Sequence, residues 1–167
     1  MTTVAGTTRR VSFQVPSSIA VAAPTAYTIT LSGATATGAA FVSLNTAPLT
    51  VNPPSEILAV QPSSIQAGRT VAVALTTRYT DFVQGSTMAS FGPGASVGGG
   101  AEGGFGPVTV TSATRATAAV TITASAAIGA RTVAVATGVQ TASLAQGINV
   151  VGAPPANQPP TANAGGQ

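Results

Sequence analysis

The run VTVTSATRATAAVTITASAAIGARTVAVATG, from Val108 to Gly138, decides the fold. Val108 and Val110, Val120 and Ile122, and Val133 and Val135 each stand two positions apart, with Thr or Ala between them. A period of two puts each pair on one side of an extended chain, so the run reads as strands with one buried face. The same pattern extends outward. Ile57-Leu58-Ala59-Val60 and Thr70-Val71-Ala72-Val73-Ala74-Leu75 precede the run, and Gly147-Ile148-Asn149-Val150-Val151 follows it. The links carry Gly, Pro and Ser, which turn a chain, as in Gln61-Pro62-Ser63-Ser64. Short strands at this spacing predict an all-β sandwich of seven strands over residues 55–152, about the hundred residues such a domain needs. The alternation places Leu75, Phe82, Phe91, Val110, Ile122, Val133 and Ile148 in its core.

Residues 1–54 have the same texture but only half the length. Val11–Val15, Tyr27–Leu31, Ala40–Leu44 and Pro48–Val51 read as strands, with Phe13, Val15, Tyr27, Ile29, Leu31, Phe41 and Leu44 supplying apolar faces. Asn52-Pro53-Pro54 stops the last strand, because proline cannot donate to a ladder. The stretch Thr7 to Gly33 follows the order of Ala113 to Gly138: Thr-Arg, an alternating strand, a small-residue turn, a second strand and Gly. Each continues through another strand to Pro-Pro, at Pro53-Pro54 and Pro154-Pro155. That agreement predicts an internal repeat in which residues 1–54 match the later part of residues 55–152. The half-length unit leaves an apolar face and a strand edge for a partner strand, supplied upstream in a longer protein or by a neighbouring chain. Residues 153–167, rich in Pro, Asn, Ala and Gly, read as a linker.

The composition excludes several function classes. Hydrophobic residues make up 44% of the chain but aromatics only 4%, so the core must be aliphatic. Charged residues are 5% of the total: six Arg, no Lys, and the acids Glu56, Asp81 and Glu102. A nucleic-acid surface clusters many basic groups, whereas only Arg9 and Arg10 are adjacent here, so no nucleic-acid partner is expected. Without Cys there is no disulfide. No uninterrupted apolar stretch is long enough for a spanning helix, and no membrane span is expected.

Catalytic chemistry has little to work with. Serines abound, but there is no His or Lys to act as their base. Zinc sites use His or Cys, and the chain has neither. A calcium site needs six to eight oxygens, several usually carboxylate, and Asp81 stands alone in its loop. Gly92 to Gly100, GPGASVGGG, resembles a phosphate loop but lacks the Lys and the following helix. No catalytic, cofactor-binding or metal-ligating residue is therefore nominated, no cofactor is expected, and the chain is read as a non-enzyme. Phe82 and Phe91 are read as core and Tyr79 and Phe105 as partly exposed. Arg115 and Arg131 are read as partners for Glu102 or Asp81, and Arg69 and Arg78 as solvated. The glycine-rich run Gly98–Gly104 is read as a mobile loop.

Several stretches together resemble the bacterial Ig-like repeats of large surface and secreted proteins, of the IPT/TIG-like kind. They are AVQPSSIQAGRTVAVALT (Ala59 to Thr76), YTDFVQGSTMASFGPG (Tyr79 to Gly94) and the run quoted first. The tail NQPPTANAGGQ (Asn157 to Gln167) resembles the start of a PKD-like module. The resemblance implies an immunoglobulin-like β-sandwich. Residues 1–54 would be the C-terminal part of one repeat, 55–152 a complete one, and 153–167 a linker into a following module. It also implies an extracellular or cell-surface protein, a structural or adhesive spacer or stalk whose partners are neighbouring Ig-like or PKD-like modules. The isopeptide cross-link of some such domains needs a Lys, which is absent. Two other readings stay open: a filament or sheath subunit that self-associates through open strand edges, and a carbohydrate- or protein-binding module.

Overall fold

The computed structural model describes residues 13–16 and 19–152, and its regular structure is strand throughout. Chain contacts divide it into two units at Pro54/Ser55. The sequence-predicted strand at Val11–Val15 falls partly outside the described residues, and its described part, Phe13 to Val15, forms no strand; Arg9-Arg10, Pro154-Pro155 and the 153–167 tail lie wholly outside them.

The first unit has four strands: β1 (Thr25–Ile29), β2 (Ser32–Ala34), β3 (Ala40–Val42) and β4 (Ala47–Val51). β1 pairs antiparallel with β4, and β2 with β3. These are two separate two-stranded ribbons, the second a hairpin lying in sequence between the strands of the first. Among the described residues of this unit, none is fully buried.

The second unit has ten strands, where the spacing predicts seven. They are β5 (Glu56–Gln61), β6 (Ser64–Gln66), β7 (Thr70–Arg78), β8 (Thr87–Ser90), β9 (Ala95–Val97), β10 (Gly106–Pro107), β11 (Thr109–Ser112), β12 (Arg115–Ile122), β13 (Gly129–Thr137) and β14 (Gln140–Val151). One sheet runs β10-β8-β13-β14-β6. The other runs β11-β12-β7-β5, and β9 also pairs with β12, beside its C-terminal half, while β11 pairs with its N-terminal half. All pairs are antiparallel except β6 with β14.

Both sheets contribute to one aliphatic core. Val73 and Leu75 of β7 and Ala118, Val120 and Ile122 of β12 come from one, and Ala89, Val133, Val135, Ile148 and Val150 from the other. Phe91 is fully buried and Phe82 nearly so, in keeping with their reading as core. Of the seven expected core residues, Val110 differs. It lies on β11, at the edge of its sheet, and is only partly covered. In β5 the alternation breaks, since Ile57 and Val60 are both buried although three apart. A register shift between Ile57 and Ala59 accounts for it, because an extra residue turns the following side chains over.

The glycine-rich run is a hydrogen-bonded connection rather than an open loop. Gly98 N–H donates to the Ala119 carbonyl (2.8 Å) and Gly103 N–H to that of Ala95 (2.7 Å). Gly106 lies so close to β9 that a Cβ there would meet the Val97 carbonyl oxygen at 2.0 Å. Only glycine lets the edges of the two sheets approach this closely.

Entry and exit of the second unit lie at opposite ends. The Ser55 hydroxyl donates to the carbonyl of Thr141, near the start of β14. The chain leaves after Val151, at the far end of β14, where Val151 pairs with Gln66. At about 3.3 Å per residue, the ten positions between Thr141 and Val151 separate the two points by roughly 30 Å.

Candidate functional site

A partly exposed apolar surface lies on the first unit, and β1 and β4 build it. Antiparallel pairing sets Thr25 opposite Val51, Tyr27 opposite Leu49 and Ile29 opposite Ala47. Residues two apart, and residues directly opposite, share a face. Thr25, Tyr27, Ile29, Leu49 and Val51 therefore form one apolar side of the ribbon. Phe13 lies against it and divides the surface into two solvent-open grooves. One, of about 540 Å³, runs beside Ile29, Leu31 and Ala47. The other, of about 200 Å³, is lined by Val15, Ile19, Tyr27, Leu49 and Val51. Phe13 is 59% exposed, Tyr27 41% and Leu31 40%. Among the described residues of this unit none is charged, so the residues that line the face are electrically neutral.

Two residues expected on this surface are elsewhere. Phe41 sits on the β2–β3 hairpin and covers Gly33, where a Cβ would come within 3.0 Å of its ring. Leu44 follows β3 and is fully exposed. Conversely, Ile19 joins the smaller groove although it belongs to no strand.

In the second unit, β13 and β14 begin their pairing in the same register. Gly129 faces Val150, Ala130 faces Asn149 and Arg131 faces Ile148. These match Thr25 with Val51, Ala26 with Thr50 and Tyr27 with Leu49 in β1 and β4. The surroundings differ. Val133, Ile148 and Val150 are buried beneath the opposing sheet, whereas Ile29, Leu49 and Val51 line open grooves.

The charged residues form one ion pair among the described residues, and it is not one the sequence pointed to. Arg78, expected to be solvated, donates through Nε to the carboxylate of Glu56, and its guanidinium lies 5.3 Å from the Tyr79 ring centroid. β5 and β7 impose this pairing, since their register sets Glu56 directly opposite Arg78. Arg131 donates to the Ala127 carbonyl rather than to an acid, and Arg115 has no acidic partner. Asp81 receives no cation; its backbone N–H donates to Gln140 Oε1 at 2.8 Å. Glu102 sits in the glycine-rich connection. Phe105 is half exposed and Tyr79 partly so, both as read from the sequence. Among the described residues, no three His, Cys, Asp or Glu side chains come together, and no helix is long and apolar enough to cross a membrane.

No family model matches the chain, and no curated protein matches it.

Proposed function

We propose that the chain is a non-catalytic structural segment of a large extracellular bacterial protein, an immunoglobulin-like repeat that acts as a spacer or stalk between neighbouring modules. The observation that carries this reading is the placement of the second unit's ends. Ser55 is tied to one end of β14 and the chain departs from the other. A module entered and left at opposite poles adds its length to a chain of modules.

The pairing of β6 with β14 supports the same reading. Parallel strands held at their opposite ends are pulled in shear, so the bonds between them share the load. Asn149 N–H donates to the Ser63 carbonyl (2.8 Å) and Ala67 N–H to that of Val151 (2.9 Å), one at each end of the pair. Two sheets of five strands, with the chain passing from β5 in one to β6 in the other, also suit an immunoglobulin-like module. The first three pairs of β1–β4 and of β13–β14, which overlap the similar runs Ala26–Ile29 and Ala130–Val133, support the internal repeat. The sparse charge supports a mechanical rather than a chemical role, with Glu56 already engaged by Arg78.

Single-molecule pulling on the intact chain tests the proposal. The second unit is expected to give one distinct rupture that releases about 3.3–3.6 Å of contour per residue over residues 55–152. Featureless extension at low force would overturn the stalk role. A turnover abolished by changing Asp81 or Glu102 would overturn the non-catalytic reading.

A second reading, a subunit of an extracellular filament or sheath, draws on the open apolar face of the first unit. Sedimentation of the intact chain tests it, since a filament subunit must self-associate as concentration rises.

A further inference from the structure

We infer that the open face of residues 13–54 is the seat of a β-sheet segment patterned like residues 56–78, uncharged on its inner side with branched apolar residues recurring along it. The inference rests on the repeat reading proposed above and names the partner that reading requires.

The second unit supplies the argument, because it shows the matching face occupied. The first three pairs of its β13–β14 ribbon follow those of β1–β4, before β13 shifts against β14 between Arg131 and Val133. The side of that ribbon bearing Val133, Ile148 and Val150 belongs to one core with Ile57 and Val60 of β5 and Val73 and Leu75 of β7. Those four residues are no more than 5% exposed. In the first unit the ribbon carries apolar residues at the matching places, Ile29, Leu49 and Val51, without that cover among the described residues.

Charge selects the class of partner. No Lys, Arg, Asp or Glu occurs among the described residues of this unit, so the face itself offers no charge to an anionic lipid or an acidic peptide. The inner side of β5 and β7 is likewise neutral, with Glu56 and Arg78 satisfying each other at the end of the two strands. A neutral apolar face and a neutral apolar sheet complement each other by burial alone. Phe13, which belongs to no strand, lines both grooves and so marks the face as one that accepts an apolar side chain.

The chain has no native cysteine, so a single introduced thiol reports on the face directly. Leu31→Cys places the probe in the larger groove, and Leu44→Cys places a control on a fully exposed residue off the face. In the intact chain both thiols should label at similar rates, and sedimentation should show a monomer. An additional copy of residues 55–112 is then joined ahead of residue 1. Labelling at Leu31→Cys should slow by about tenfold or more, as for a group that must wait for local opening, and labelling at Leu44→Cys should not change. Placing Val73→Asp and Leu75→Asp in the added copy should restore fast labelling. As a second format, residues 56–78 supplied as a free peptide should slow labelling at Leu31→Cys in proportion to peptide concentration.

Unchanged labelling in both formats overturns the inference. So does a dimer of the intact chain that protects Leu31→Cys by itself, because the occupant would then be a second copy. The pulling experiment reads only the second unit, so a failed stalk role and an empty seat give separate results.

Discussion

Ile29 and Val133 occupy similar ribbons in different surroundings. Each lies in the first strand of an antiparallel pair that starts in the same register. Val133 is fully buried, whereas Ile29 borders a groove of about 540 Å³ open to solvent. What separates them is the second sheet. A ribbon with one apolar side gains little from its own hydrogen bonds, and its stability comes from covering that side. The second unit covers its ribbon with β5, β7 and β12, and the described part of the first unit does not. Local pattern therefore made both ribbons, but burial separates them.

The comparison is broken most directly at Phe91, the largest fully buried side chain. Phe91→Ala should destabilise the second unit by about 3–5 kcal/mol, read from the denaturant midpoint. A loss below about 1 kcal/mol would mean that its core is as loosely covered as the first unit's face.

A smaller loss is expected at Gly106. Its Cβ position is taken by the Val97 carbonyl, which is backbone and cannot swing aside. Gly106→Val should cost about 1–3 kcal/mol by forcing β9 and β10 apart. Normal stability in this variant would show that the two sheet edges need not approach so closely. The first unit offers a contrast at Gly38, which has open space around it but a φ of +84°. Substitution there would meet backbone strain alone.

The Arg78–Glu56 pair ranks lower, because both side chains are about half exposed, at 55% and 43%. Arg78→Ala should change the stability of the second unit by about 0–1 kcal/mol, less at high salt. A double-mutant cycle with Glu56→Ala measures the coupling. A value well above that range would give electrostatics a share in holding β5 to β7.

Much of the second unit was legible because its long strands obey the period of two. β7, β12 and β13 stand out by Val73 and Leu75, Val120 and Ile122, and Val133 and Val135. The strands that escaped notice are short or carry small residues. β8 buries Thr87, Ala89 and Ser90, and a buried Thr or Ser looks like a surface residue in one dimension. The first half of β12 buries Ala116 and Ala118, and alanine signals neither side. β14 was seen only from Gly147 onward. Its register shift against β13, with Gln146 at φ 55°, interrupts the alternation just before that point. The candidate surface was half legible. Tyr27, Ile29 and Leu31 are visible as a stripe, but whether a stripe is covered depends on a second sheet that the stripe does not encode. The Arg78–Glu56 pair was invisible for a similar reason: it depends on the register of β5 against β7, which a shift at Ile57/Ala59 sets.

A comparably small effect is the most informative about the comparison. Val133→Ala removes methyl groups from a fully buried site and should cost about 1.5–3 kcal/mol. Ile29→Ala removes more carbon, yet its side chain is only partly covered and borders an open groove, so less transfer free energy is lost and no closed cavity is left behind. The expected loss is about 0.5–1 kcal/mol, well below that at Val133. Amide exchange across the β1–β4 ladder measures it in the intact chain, since those amides report the local opening of this ribbon. The same substitution in the chain extended by residues 55–112 should cost several times more, because Ile29 would then lie under the added sheet. An equal, small loss in both chains would mean that the matching register does not bring a matching cover. A large loss in the intact chain alone would mean that something already covers the face.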